Sequence, residues 1–299
     1  MLRLELHKIK GNTYFIDAPT TIGVYVFKNK FCILVDSGLD NSAARKIDAI
    51  LKENNLHPKY IINTHSHIDH CGGNNYFKDT YPGTLTYTSE KEKLYLENPK
   101  LFPTILFSAT PIKRLFDNKR PFIVDQVLDY GTNKINDEKF EILSLKGHAE
   151  EHIGIITPEK VCFLGDSLFG YETLKKYPFP FLYNIQDTLD TLNKIKEIDA
   201  DYFVLGHGKE VLTKEEILPL VDANIENTNN HIEGILEILD QPSTIEDILE
   251  NIIILNDISV GLRHYFVDLS SASAFVSHLY NTGLIDLSIE NGKLYYFKK

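Results

Sequence analysis

A chain of 299 residues, 43% hydrophobic and 24% charged, has room for about two domains and a large buried core. Its net charge of −11 excludes broad electrostatic affinity for nucleic acid unless a local basic patch overrides it. No stretch has the length and apolarity of a membrane span, and Met1-Leu2-Arg3-Leu4-Glu5-Leu6-His7 alternates like a strand, unlike a signal peptide. The three cysteines are odd in number and far apart. Cys32 and Cys162 fall in apolar runs, so small core residues in a reducing cytoplasm are expected rather than a disulfide framework.

Residues 2–10 and 13–18 read as strands about a Gly11-Asn12 turn, and Val24–Phe27 with Phe31–Val35 as a hairpin. Asp36-Ser37-Gly38 leaves that hairpin, and a helix is expected over 40–54, with Pro58 beyond it. The apolar run Tyr60-Ile61-Ile62 reads as a short buried strand. Behind it, His65, His67, Asp69 and His70 fall within six residues, before Gly72-Gly73. On a loop leaving a strand, alternate side chains can converge on one spot. Imidazole and carboxylate are the ligands expected for zinc, iron, nickel or manganese.

Leu85–Thr88 reads as a strand, and Ser89 with Glu92 as a capping box for the helix that follows. Residues 98–123 differ in texture, with four prolines, four phenylalanines and five Lys/Arg against the single acid Asp117. Two readings stand for this segment. It is either a lid that presents Phe102, Arg114, Phe116 and Arg120 to a substrate, or a solvated loop. Strand pattern resumes at Ile123–Leu128 and Phe140–Leu145, ahead of Gly147-His148 and His152. Val161–Leu164 is another buried run, ending in Gly165-Asp166. An aromatic loop with Tyr171, Phe179 and Tyr183 is placed to wall a pocket. A helix over Asp187–Ile198 and a strand over Tyr202–Leu205 lead to Gly206-His207-Gly208.

From about residue 217 the pattern changes. Helices are expected over Leu218–Leu239, from Ser243-Thr244-Ile245-Glu246 onward, and over Leu262–Tyr280, then a hairpin with an Asn291-Gly292 turn. Three helices and a hairpin look like a winged helix, which would suggest DNA binding. Charge opposes that, because residues 217–299 hold twelve acids against four Lys/Arg, a net of −8. Packing or homodimerisation is the role expected for this tail.

The His-x-His-x-Asp-His run at 65–70, Gly147-His148, Asp166 and Gly206-His207-Gly208 recur in an order that resembles the metallo-β-lactamase superfamily of two-metal hydrolases, over about residues 12–212. The resemblance implies an α/β fold, a four-layer αββα sandwich over 1–215. A small winged-helix-like domain over 217–299 would follow, as in a branch that includes endoribonuclease-like members. It implies one metal on His65, His67 and His148, a second on Asp69, His70 and His207, and Asp166 bridging them. It also makes Asp36 a buried carboxylate that orients metal-binding histidines, with helix capping the other reading. His152 is then a residue beside the metals, a substrate contact or a plain core histidine. Lys146 and Ala149 depart from the superfamily's usual motif, and Asp at 166, not Cys, departs from the zinc β-lactamases proper.

The chemistry implied is that of two divalent ions, most simply zinc with iron or manganese open, acidifying a water from a pKa of ~15.7 toward ~7. The same ions stabilise the oxyanion formed on attack, and Asp69 serves as general base or only as ligand. The leading expectation is a cytoplasmic hydrolase of a small, anionic ester, thioester or lactone. A phosphodiesterase or endoribonuclease is the enzymatic alternative, with RNA disfavoured as a partner and DNA and membrane excluded. A glutathione-thioester hydrolase would be expected to carry a cationic C-terminal domain, and this tail is acidic. A winged-helix metal-sensing regulator would need a basic recognition helix, and 262–280 offers only Arg263, His264 and His278.

Overall fold

The computed structural model describes residues 4–115 and 120–299. A seven-stranded sheet runs in chain order through β1 (Leu6–Lys10), β2 (Thr13–Ile16), β3 (Ile22–Val26), β4 (Phe31–Val35), β5 (His57–Ile62), β6 (Leu85–Thr88) and β7 (Gln126–Val127). Its first four strands pair antiparallel, and β4 to β7 pair parallel. A second sheet contains β8 (Gly131–Ile135), β9 (Glu138–Ser144), β10 (Ile153–Ile156), β11 (Val161–Gly165), β12 (Tyr202–Leu205) and β13 (Val211–Thr213), in the order β13-β12-β11-β10-β9-β8. A hairpin of β14 (Ile285–Glu290) and β15 (Lys293–Lys298) stands apart.

The helices of the first half are α1 (Asn41–Glu53), α2 (Ile68–Cys71), α3 (Asn74–Thr80), α4 (Glu90–Glu97) and α5 (Leu101–Phe107). Those of the second half are α6 (Tyr171–Lys176), α7 (Ile185–Ile195), α8 (Lys214–Ile238), α9 (Ile245–Leu255) and α10 (Leu262–Asn281). None of the helices among the described residues is long and apolar enough to cross a membrane.

The two large sheets face each other. Tyr25, Ile33, Val35 and Ile62 of one meet Phe140, Ile142, Ile155 and Phe163 of the other in one buried cluster. Helices α1 and α3 cover the first sheet's outer face through Ile47, Leu51 and Phe77. Helices α7 and α8 cover the second through Leu192, Ile195, Ile217, Leu220 and Val221. Layering helix, sheet, sheet, helix explains why the runs at Cys32–Val35 and Val161–Leu164 are continuously apolar. Strands covered on both faces have no polar side to alternate with.

Several local expectations need correction. Helix α1 is capped by Asp40, which accepts from the Ser42 and Ala43 N–H groups, so Asp36 is not its cap. Ser89 makes no capping bond at α4; its hydroxyl donates to the Glu151 carbonyl, and Glu92 is turned elsewhere. The strand expected over 123–128 shrinks to β7, because Phe122 and Val124 are buried against Cys71 and Leu96. In the tail, Thr244 and Asp247 form a capping box ahead of α9, and Asn291 and Gly292 take positive φ, 51° and 81°, as a two-residue hairpin turn requires. Ile235, Ile248, Phe275 and Leu279 of the tail share one core with Phe179 and Leu182 from the loop leading into α7 and with Ile185 at the start of that helix.

Candidate metal centre

The ends of β4, β5, β11 and β12 gather on one edge of the sandwich. Asp36 follows β4, His65 to His70 follow β5, Asp166 follows β11 and His207 follows β12, while His148 lies in the β9–β10 loop. Three overlapping sets result: His65, His67 and His148; His65, His70 and Asp166; Asp69, His70 and His207. In each set the candidate ligand atoms lie within 4.8 Å of one another. Two glycines permit this crowding. A Cβ on Gly72 would stand 1.8 Å from the Leu39 carbonyl oxygen, and one on Gly206 would stand 2.1 Å from Asp166 Oδ1.

Four of the five candidate rings are oriented from behind, while His67 Nδ1 meets His148 Nε2 at 2.9 Å inside the cluster. His70 Nδ1 pairs with Asp36 at 2.8 Å, His148 Nδ1 donates to the Phe181 carbonyl at 2.9 Å, and His207 Nδ1 donates to the Pro19 carbonyl at 2.9 Å. The Thr64 hydroxyl donates to Asp36 at 2.9 Å, which leaves its oxygen to accept from His65 Nδ1 at 3.0 Å. Asp36 also accepts from the Thr64 N–H at 2.9 Å. Every Nε2 in this group is thereby turned inward, as ring nitrogens held by a hydrogen-bonded neighbour are in metal sites.

Three buried atoms at this spot, His65 Nε2, His70 Nε2 and Asp166 Oδ1, have no hydrogen-bond partner. A buried polar atom without a partner costs about 1–3 kcal/mol, and a pair of divalent cations, one beside each histidine, would satisfy all three. The donor set therefore fits metal.

The electrostatics agree. Burial and neighbouring histidines hold His65 well below its ordinary pKa, and burial with His148 brings His67 to about 3. His70 and His207 behave oppositely. Burial opposes their charge, yet Asp166 and Asp36 hold His70 well above the usual range, and Asp166 with Asp69 pushes His207 up to about 10. Against burial, His70 and His207 keep the Asp166 carboxyl low. Two imidazolium charges thus offset the aspartates in the metal-free protein.

Two further groups brace the centre. His152 is fully buried, stacks on the His65 ring at 4.9 Å, and accepts the Asp166 N–H at 3.1 Å. Glu92, also buried, accepts the Ser66 N–H at 2.8 Å on one oxygen and the Glu151 N–H at 3.1 Å on the other. It clamps the loop that carries His67 to the loop that follows His148, a role that sequence reading missed because Ser89 and Glu92 also fit the spacing of a cap.

A cavity of about 360 Å³ opens over His67, Asp69, His148 and Asp166. Of the side chains expected to meet substrate, Phe102 lines it, with its ring 5.4 Å from that of His67. Tyr183 lines a smaller adjoining recess. Others are placed elsewhere. Arg120 pairs with Asp79 at 2.9 Å on the exposed surface, and Arg114 sits in an exposed turn whose next residue, Leu115, lines the cavity instead. Phe179 is buried against Phe275, ring centroids 5.6 Å apart, and Tyr171 stands exposed on α6 outside the cavity lining. Phe116 lies outside the described residues. Phe181, from the aromatic loop expected over 171–183, lines it too, and unforeseen lining comes from Tyr95, Arg263 and Val267. The i,i+4 spacing of Arg263 and Val267 on a helix was the available signal.

Comparison with known proteins bears on this arrangement. The model of the metallo-beta-lactamase superfamily matches residues 16–207. A hydroxyacylglutathione hydrolase of Prochlorococcus marinus (strain MIT 9312) is 31% identical over 145 residues, 48% of each chain. A beta-lactamase-like protein 2 homolog of Caenorhabditis elegans is 24% identical over 209 residues, 67% of this chain and 57% of that one. The chain spans about half the length of the first relatives it matches. A crystal structure of a metallo-beta-lactamase family protein of Thermus thermophilus superposes with a TM-score of 0.73 over 99% of this chain and 98% of that one, at 20% identity.

Proposed function

Because the chain belongs to the metallo-beta-lactamase superfamily, we propose that it is a metal-dependent hydrolase of a small ester, thioester or lactone. The observation that carries this reading is the set of inward-facing, unpartnered ligand atoms at the floor of a largely apolar cavity. His65, His67 and His148 would hold one divalent ion, Asp69, His70 and His207 the other, with Asp166 between them. Five imidazoles and two carboxylates suit zinc best. Bound there, the ions would supply an acidified water and stabilise negative charge on the attacked carbonyl.

The chain's own groups do the rest. Asp36, Thr64 and the Phe181 and Pro19 carbonyls fix the imidazoles. Asp69 faces the cavity, where its carboxylate is placed to take the proton of the attacking water. Phe102 and Phe181 exclude bulk water from the reacting carbonyl. A relative named for a thioester, hydroxyacylglutathione, supports carbonyl chemistry. Cys32 and Cys162, both buried and in no disulfide, suit a reducing cytoplasm.

The three helices and hairpin of the tail motivate a second reading, a winged-helix-bearing endoribonuclease. Its acidic charge and the partly enclosed cavity favour the small substrate. One experiment separates them. Protein loaded with zinc, iron or manganese is assayed on esters, thioesters, lactones and single-stranded RNA. The expected outcome is carbonyl hydrolysis that disappears on chelation and in Asp166→Ala. Cleavage of RNA with no carbonyl hydrolysis would reverse the assignment.

A further inference from the structure

Above the metal centre, the cavity is walled by Leu96, Phe102, Leu115, Phe122, Phe181 and Val267. Among the described residues of its lining, the carboxylates are Asp69 and Asp166, both part of the candidate metal cluster, and the one Lys or Arg is Arg263 of α10. Arg263 is exposed and forms no ion pair with a described residue, whereas Arg120, one of the cations expected to meet an anionic substrate, is paired with Asp79. Phe107 of α5 packs on Phe266 of α10, ring centroids 5.3 Å apart, so α10 is held over the cavity as part of its roof.

Resting on the hydrolase reading above, we propose that the substrate has an apolar acyl body with one acid group at its far end, received by Arg263. An apolar body gains from burial against these walls at roughly 25 cal/mol per Å². The planar guanidinium suits a carboxylate, which it can bind through two parallel hydrogen bonds. A glutathione thioester would bring two carboxylates, an ammonium and two amides into the same space. Buried polar groups of that kind need partners. Of the neutral polar side chains in the lining, the Tyr95 hydroxyl already donates to Glu150 at 3.0 Å, which leaves the Ser66 hydroxyl and the His264 imidazole, too few for all of those groups. The tail therefore contributes specificity to the site through one helix, although its net charge is acidic.

The test uses the zinc-loaded full chain and three thioesters. Two share N-acetylcysteamine as the thiol and carry either an octanoyl group or the half-acid suberyl group; the third is an S-hydroxyacylglutathione. The suberyl compound should show the lowest KM. Arg263→Ala should raise KM for suberyl relative to octanoyl by roughly three- to tenfold, and Arg263→Lys should recover part of that ratio. An unchanged ratio, or a preference for the glutathione compound that Arg263→Ala leaves intact, overturns the proposal. Binding of suberate and octanoate by calorimetry provides a readout independent of turnover. Suberate binding that depends on Arg263 supports the proposal even where no thioester is cleaved, and equal binding of both acids refutes it while leaving the hydrolase reading untouched.

Discussion

Asp36 takes a positive φ of 65°, a conformation most non-glycine residues avoid, and in it accepts from the Thr64 N–H, the Thr64 hydroxyl and His70 Nδ1. The His-x-His-x-Asp-His run was legible in sequence because its members are contiguous and chemically unlike their surroundings. The orienting partners were less so: the Phe181 and Pro19 carbonyls carry no sequence signature at all. One prediction belongs at this scale. His70 and His207 have folded pKa values raised above the ordinary 6.5, so in the metal-free protein both hold protons at neutral pH. Their pairing with Asp36, Asp69 and Asp166 is present below pH 6.5 and fades as pH rises, for His207 through about 10. Metal must displace those protons. Adding zinc in weak buffer at pH 7 should release about two protons per chain from these rings, and affinity should climb with pH. Zinc binding with no proton release would contradict the pairing.

Helix α4 shows how a correct local pattern can carry a different function. Ser-x-x-Glu has the spacing of a cap, but the Glu92 carboxylate is spent on two backbone N–H groups from separate loops. Both partners are donors, so an amide in its place must turn one N–H₂ toward an N–H. Glu92→Gln should lower stability by about 1–3 kcal/mol in urea titration and weaken metal retention against a chelator. Unchanged values in both measurements would leave Glu92 a passive core residue. Strand β8 escaped sequence reading because Gly131-Thr132-Asn133-Lys134-Ile135 is largely polar, and β10 because four residues are too few to show a period. The cationic texture of 98–123 was real, but nothing in local sequence tells Arg120 that its partner is Asp79, forty-one residues away.

At the scale of the whole molecule, the expected boundary near 216 is crossed by a shared core. Phe179, Leu182 and Ile185 are buried together with Phe275 and Leu279 of α10, and between the first two stands Phe181, whose carbonyl orients His148. Helix α8 also covers the second sheet. Unfolding of the metal-loaded chain should therefore be one cooperative transition, with tyrosine fluorescence and far-ultraviolet dichroism giving coincident curves. Two separated transitions would mean that the tail folds independently. The αββα layering was readable from apolar runs and the superfamily motifs, whereas the shared core depends on contacts nearly a hundred residues apart, which periodicity does not encode.

The dispersal of the candidate metal ligands along the chain has a consequence for biosynthesis. His65, His67, Asp69 and His70 are made early, Asp166 and His207 more than ninety residues later, and α10 later still. At ribosomal rates of ~5–20 residues per second, roughly 7–27 s separate His70 from His207. A nascent chain that captures an ion in that interval holds it with an incomplete ligand set, open to exchange with cellular chelators. The candidate ligand set is complete only once β12 joins β11, and the cavity over it gains its roof after that, so the order of translation lets ion capture precede closure.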